Sequence, residues 1–258
     1  MTRPANRRDW LRAGLTGAIG LAAGACDKIT ASPAVNGALD GAESLNRRLH
    51  GFLVGRSALA REYDASAISS DFRANGTTDP DSDDYRALAA GGFQDWRLQI
   101  GGLVERPLSL SLAQLRAAPA RSQITRHDCV EGWSGIAQWH GARLGSLLER
   151  AGLKPQARYI AFFCADTLEL TLDGSGDYYE TIAIADAFHP QTILAYEMNG
   201  RVLPVANGAP VRLRLERQLG YKMAKYVMRI EAVDSFNKLG RGKGGYWEDR
   251  GYQWYAGI

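Results

Sequence analysis

Residues 126–134 read Arg126-His127-Asp128-Cys129-Val130-Glu131-Gly132-Trp133-Ser134, a polar, loop-like run with a cysteine near its centre. Apolar segments flank it, which places the cysteine on a reachable loop. A thiolate that serves a soft metal needs such a place, and it needs nearby hydrogen-bond donors to hold its charge. A second polar cluster follows downstream as Asn207-Gly208-Ala209-Pro210-Val211-Arg212, and then Gly220-Tyr221-Lys222-Met223-Ala224-Lys225-Tyr226. Its Arg offers a planar fork to a phosphate, and the N–H groups after Gly220 add donors. Taken singly, the first run also reads as a plain loop and the second as a solvated basic edge of a sheet.

Outward from these runs the chain supplies short strands and few helices. Residues 96–100 alternate like a strand that ends at Gly101-Gly102, and 108–115 pass from a strand into a short helix. Residues 141–151 carry Leu144, Leu147 and Leu148 on one helical stripe, closed by Gly152. Strands are expected over 157–163, 168–172, 192–196, 211–215 and 227–233, with Asn199-Gly200 as a hairpin turn. The stretch 71–84 contains Asn75-Gly76-Thr77-Thr78-Asp79-Pro80 and reads as a turn-rich loop. No regular βαβ alternation appears, so the expected class is α+β with a mixed sheet.

The formal net charge of +3 hints at a mild attraction to nucleic acid. Residues 1–25, however, hold Arg3, Arg7, Arg8 and Arg12 against Asp9 alone, and the remainder of the chain is neutral. Nucleic acid is therefore not an expected partner. The basic start, with Arg7-Arg8 followed by Asp9-Trp10-Leu11-Arg12 and a weakly apolar run, resembles a twin-arginine export signal over 1–25. An ordinary export signal is the plainer alternative. Cys26, after Leu21-Ala22-Ala23-Gly24-Ala25, resembles a lipobox cysteine, with plain cleavage nearby as the competing reading. The expected organisation is a signal over 1–25, a tether and peripheral segment over 26–70, and one domain over 71–258. The expected location is the periplasm, with the membrane reached only through a lipid anchor at Cys26.

Cys129 and Cys164 remain, and for an exported protein a disulfide between them is the default. His127 and His140 match no structural zinc spacing relative to Cys129. The aromatic tail, Tyr246-Trp247 and Tyr252-Gln253-Trp254-Tyr255, suggests a docked C-terminal segment or a partner surface.

Three blocks stand in order: Asp128 to Ser134, Leu194-Ala195-Tyr196-Glu197-Met198-Asn199-Gly200, and Asn207 through Lys225. Together they resemble the sulfite-oxidase-type molybdopterin oxidoreductases, closest to the bacterial periplasmic branch that includes the methionine-sulfoxide reductase catalytic subunit. The resemblance covers roughly 72–258. It implies the mixed-sheet fold of that family and a molybdenum–molybdopterin cofactor. Cys129 is implied as the protein's ligand to the metal, and Tyr178 as the tyrosine of the active site. Asn75, Thr78, Asn207 and Arg212 are implied to contact the cofactor, with Lys222, Met223, Ala224 and Lys225 closing its pocket. Cys164 then falls at a pterin contact and not in a disulfide.

One departure bears on substrate. Sulfite oxidases place an Arg immediately before the Asn that matches Asn75, and here that position is Ala74, with Arg73 one residue away. The resemblance with this change points to oxygen-atom transfer from a small S-oxide or N-oxide. A sulfite-oxidising activity and a noncatalytic periplasmic binding protein are the alternatives. The chain has no Cys-x-x-Cys-His for haem attachment, so electrons are expected from a separate cytochrome or membrane haem protein.

Overall fold

Among the described residues, ten strands form two five-stranded sheets. In chain order they are β1 (Arg97–Gly102), β2 (Leu108–Ser111), β3 (Ala120–Asp128), β4 (Ser134–Arg143) and β5 (Tyr159–Thr167). Then come β6 (Asp177–Ala183), β7 (Ile193–Met198), β8 (Arg201–Val202), β9 (Arg212–Arg214) and β10 (Val227–Val233). One sheet runs β2-β1-β10-β5-β6; the other runs β3-β4-β7-β8, with β9 paired to β7. The β1–β10 pair is parallel and every other ladder is antiparallel, so the fold is α+β with one mixed sheet.

This computed structural model describes residues 58–172 and 176–258, with positions 32, 45 and 55. The export signal, Cys26 and most of the expected tether lie outside the described residues. Residues Arg56–Ile258 make one compact unit. Within it, 58–70 lie along β3 and β4: Tyr63 N–H donates to the Ile124 carbonyl at 2.9 Å, and Ser69 N–H to that of Ile136 at 2.9 Å. Among the described residues no helix is long and apolar enough to cross a membrane.

Short helices accompany the strands: α1 (Asp83–Ala90), α2 (Leu112–Arg116), α3 (Leu144–Ala151) and α4 (Ile184–Ala187). Ser82 caps α1 by accepting from Tyr85 N–H, and Ser111 with Gln114 forms a capping box on α2. The leucine stripe of α3 faces the main core, where Leu144, Leu147 and Leu148 join Leu98, Ile100, Ile160, Phe162 and Ile230. A smaller apolar cluster of Ala137, Trp139, Ile193, Ala195 and Met198 is covered by Phe72.

Two sequence expectations need correction. The helix expected over 141–151 starts only at Leu144, because Gly141 to Arg143 still pair with β7. A Cβ at Gly141 would lie 2.2 Å from the Leu194 carbonyl oxygen, so the close approach of β4 to β7 requires glycine there. Residues 168–172 are not a strand. β5 ends at Thr167, paired with Asp177, and the alternating leucines beyond it project outward, with Leu170 95% and Leu172 111% exposed. The Asn199-Gly200 turn forms as expected, joining β7 to β8 with φ of 51° and 71°.

Candidate active site

The β3–β4 hairpin presents Cys129 at its tip. Cys129 N–H donates to the Trp133 carbonyl at 3.0 Å, and Gly132 takes a φ of 84° to close the five-residue loop. Below the tip, the Asp128 carboxylate accepts from Ser134 Oγ at 2.5 Å and from Arg126 Nε at 3.0 Å, which fixes the root of the loop. Asn75 reaches in from the 71–82 loop, its Nδ2 donating to Cys129 Sγ at 3.7 Å.

An open cleft lies around the sulfur. Asn75 to Thr77, Glu131, Asp166, Tyr178, Arg212 and Lys225 supply its polar lining, and Met223, Trp247 and Tyr252 part of its apolar wall. They come from several separate segments of the chain. Asp166 sits where the β5–β6 register shifts, between Phe163 and Thr167, and such a bulge re-aims a side chain. Trp247 and Tyr252 belong to the C-terminal segment, which docks by Gly245 bridging Glu180 and Gly257 bridging Gln218. The tail is thus part of the cleft wall.

Electrostatically the cleft floor is positive and under-satisfied. Arg212 is 2% exposed, lies over the Trp139 ring at 5.0 Å, and donates from NH1 to the Asn207 carbonyl at 3.0 Å. Burial, and then Arg214, lower its guanidinium to about 9. Burial, and then Arg212, lower the Lys225 ammonium to about 7. Burial pushes the Asp166 carboxyl up to about 6 against the opposing pull of Lys225. Arg212 Nε, Asn207 Nδ2, His127 Nε2 and Asp166 Oδ1 are buried with no hydrogen-bond partner among the described residues. Buried polar atoms left in this way cost free energy unless a ligand completes them. A group with an anionic end, ring donors and a thiolate-binding metal fits this set.

The structure gathers Cys129, Tyr178, Asn75, Arg212, Met223 and Lys225 in one cleft. Tyr178 lines it with its ring, while its hydroxyl donates to the Tyr221 carbonyl, and burial pushes the phenol well above its ordinary range. Other expectations are corrected. Thr77, not Thr78, lines the cleft. Lys222 points away: its buried ammonium donates to Glu180 Oε1 and Glu248 Oε1, and it touches no cleft surface. Ala224 is a core residue, and Asn207 stands behind Arg212. Cys164 packs against the core opposite Val227, and burial raises its thiol well above the ordinary range. Both Cys129 and Cys164 are free, so the default disulfide does not form. His127 Nδ1 contacts Arg214 NH1 at 3.1 Å. No group of three or more His, Cys, Asp and Glu suited to a metal occurs among the described residues.

The oxidoreductase molybdopterin binding domain family matches residues 87–238 of the chain. Over 252 residues the chain is 36% identical to a putative protein-methionine-sulfoxide reductase subunit YedZ1 of Azospira oryzae, covering 97% of this chain and 87% of that one. It is 35% identical over 159 residues to the protein-methionine-sulfoxide reductase catalytic subunit MsrP of Xanthomonas axonopodis pv. citri, covering 59% of this chain. It spans about half the length of that second relative, 49%. Among solved structures, the sulfane dehydrogenase SoxCD from Paracoccus pantotrophus aligns with 55% of this chain and 39% of its own at a TM-score of 0.49 and 24% identity.

Proposed function

The chain belongs to the family of oxidoreductases with a molybdopterin-binding domain, and from that premise we propose that it removes an oxygen atom from a small neutral S-oxide or N-oxide. The observation that carries the direction is the pairing of Glu131. Its Oε2 lies 3.7 Å from Arg73 NH2 and accepts from Trp133 Nε1 at 3.2 Å, while the side chain lines the cleft. The nearest replacement for the missing cation at Ala74 is therefore already neutralised by a carboxylate. An anion such as sulfite meets that carboxylate on entry, whereas a neutral oxide does not. The relatives' designation as methionine-sulfoxide reductases supports the same direction.

When bound, the molybdenum–pterin group supplies a two-electron redox centre able to exchange an oxygen atom. Cys129 Sγ would hold the metal as a thiolate, with Asn75 Nδ2 stabilising its charge. Arg212, which lines the cleft and has an unpartnered Nε, would take the anionic end of the pterin. Asp166 Oδ1 offers an acceptor for ring N–H groups. Trp247 and Tyr252 narrow the cleft and exclude water. The net reaction takes one oxide, two electrons and two protons to the reduced heteroatom compound and water, with the electrons supplied by a separate haem protein. Arg7-Arg8 and Cys26 support export to the periplasm by the twin-arginine route, with Cys26 as the candidate lipid anchor.

Two measurements test this reading. X-ray absorption at the molybdenum edge should show one sulfur neighbour fewer in Cys129→Ser than in the wild type; an unchanged count overturns the ligand assignment. With a reduced dye as donor, methionine sulfoxide should turn over at a higher kcat/KM than sulfite does with an oxidised acceptor, and the reverse order overturns the direction.

A further inference from the structure

Lys225 does not spend its charge on the open cleft. Its Nζ donates to the carbonyls of Asn75 at 2.9 Å, Ala206 at 2.8 Å, and Thr77. An ammonium has three N–H bonds, so all of its donors are taken. The neighbouring Tyr226, held at a φ of 52°, adds its hydroxyl to the Thr77 carbonyl at 2.8 Å. Two of the three carbonyls flank Gly76 on the loop that carries Asn75, and the third belongs to the segment just before Arg212.

That loop has little else to hold it. From Asp71 to Asp81 no backbone–backbone hydrogen bond forms among the described residues. Phe72 anchors one end against Trp139, with ring centroids 5.5 Å apart, and Tyr85 anchors the other by donating to the Ala209 carbonyl at 2.7 Å. Between those anchors, Arg73 pairs with Glu131 and Thr77 with Asp166 through side chains, while the carbonyls of Asn75 and Thr77 are held by Lys225 and Tyr226. Asn75 is also the residue whose amide meets the Cys129 sulfur.

We infer that Lys225 is a positioning residue: its ammonium clasps the 75–77 loop to the 206–225 wall and so holds the Asn75 amide on Cys129. This deepens the proposed function, since the thiolate it serves is the one that would hold the metal, but the clasp itself is a property of the chain alone. A point-charge ammonium that reaches three carbonyls in different directions is not reproduced by the planar fork of an Arg. Charge-assisted hydrogen bonds of this kind are among the stronger local restraints available to a loop.

The experiment has two arms on the full chain. In the first, trypsin cleavage after Arg73, inside the loop, is compared between wild type and Lys225→Met without cofactor. Cleavage there should be about tenfold or more faster in the variant, while the body of the sheet stays uncut. Equal cleavage rates overturn the inference. Should Lys225→Met fail to fold, Tyr226→Phe removes one bond of the same clasp and must speed cleavage at the same site by a smaller factor; no rise overturns it equally. In the second arm, oxide reduction by the loaded enzyme is measured for Lys225→Met, Asn75→Ala and the double variant. If Lys225 acts through Asn75, the double variant loses no more kcat/KM than Asn75→Ala alone. Losses that multiply overturn the positioning role. A wild type without oxide reduction would defeat the proposed function, and the cleavage arm would still decide the clasp.

Discussion

Replacing Lys222 by Met severs the internal tie that the sequence made look like a cofactor contact. Lys222, Glu180 and Glu248 are all buried, and the one ammonium serves both carboxylates. It also lies 5.5 Å from the Trp254 ring, so Met replaces a cation–π contact as well as two ion pairs. Two carboxylates and one ammonium leave one negative charge too many for a dry site. Burial, and then Glu248, push the Glu180 carboxyl well above its ordinary range, and a proton there balances the triad. Removing Lys222 strands the remaining carboxylate, for which the expected loss is about 3–5 kcal/mol, a large share of the 5–15 kcal/mol that holds a typical domain. Urea unfolding of the cofactor-free chain at neutral pH measures it. The sign with pH follows from Glu180. A carboxyl raised in the folded state contributes fully below the ordinary carboxylate range and loses that contribution as pH rises through its raised value. The penalty of Lys222→Met should therefore shrink toward acid, where both carboxyls can take up protons. The triple variant Lys222→Met, Glu180→Gln, Glu248→Gln carries no charge and should recover most of the loss. A single-variant loss below about 1 kcal/mol, or a triple variant no more stable than the single, would refute the reasoning.

Two further outcomes follow from the cleft. Asp166→Asn should leave stability unchanged near pH 4 and raise it by about 2–3 kcal/mol near pH 8, because the buried wild-type carboxyl at about 6 loses its stabilising contribution as pH climbs through that value. Chemical unfolding of the cofactor-free protein across that range checks it, and parallel curves for the two proteins would contradict it. Gly220→Ala would set a Cβ 2.4 Å from Cε1 and Nε2 of His127, a buried ring already engaged by Arg214. The expected cost is about 1–3 kcal/mol, seen as a lower thermal midpoint together with reduced molybdenum content, since the same ring lies two residues from Cys129.

Legibility in the sequence followed the physics of each segment. β10 has alternating apolar residues, and the strand observed has the bounds expected for it. β3 was invisible because its inward residues are the polar Gln123, Thr125 and His127, of which Gln123 meets Glu216 and His127 meets Arg214. Without an apolar period, alternation cannot be recognised. β6 was missed for a related reason, since its consecutive residues Tyr178 to Ile182 are all buried and show no two-residue contrast. At the site, Cys129, Asn75 and Arg212 were found through the ordered motifs. Asp166 was not, because a bulge that aims a side chain leaves no local signature. Glu131 stood inside the quoted motif, and its charge beside a candidate anion site was a signal open to use. Lys222 and Lys225 look alike in sequence; only the partners that meet each ammonium tell them apart.

The parallel ladder between β1 and β10 imposes an order in time. Its register joins Gln99 to Arg229 and Gly102 to Ala232, closing a loop of more than half the chain. Contacts so distant in sequence form slowly, because the closure entropy comes before the contacts that compensate it. A nascent chain that ends before β10 lacks the central strand of its sheet, along with the aromatic pair Trp247 and Tyr252 of the cleft wall. The binding cleft therefore comes into being only after Tyr252 has been made. Any cofactor must wait until then, and the half-built sheet leaves its central place open in the meantime.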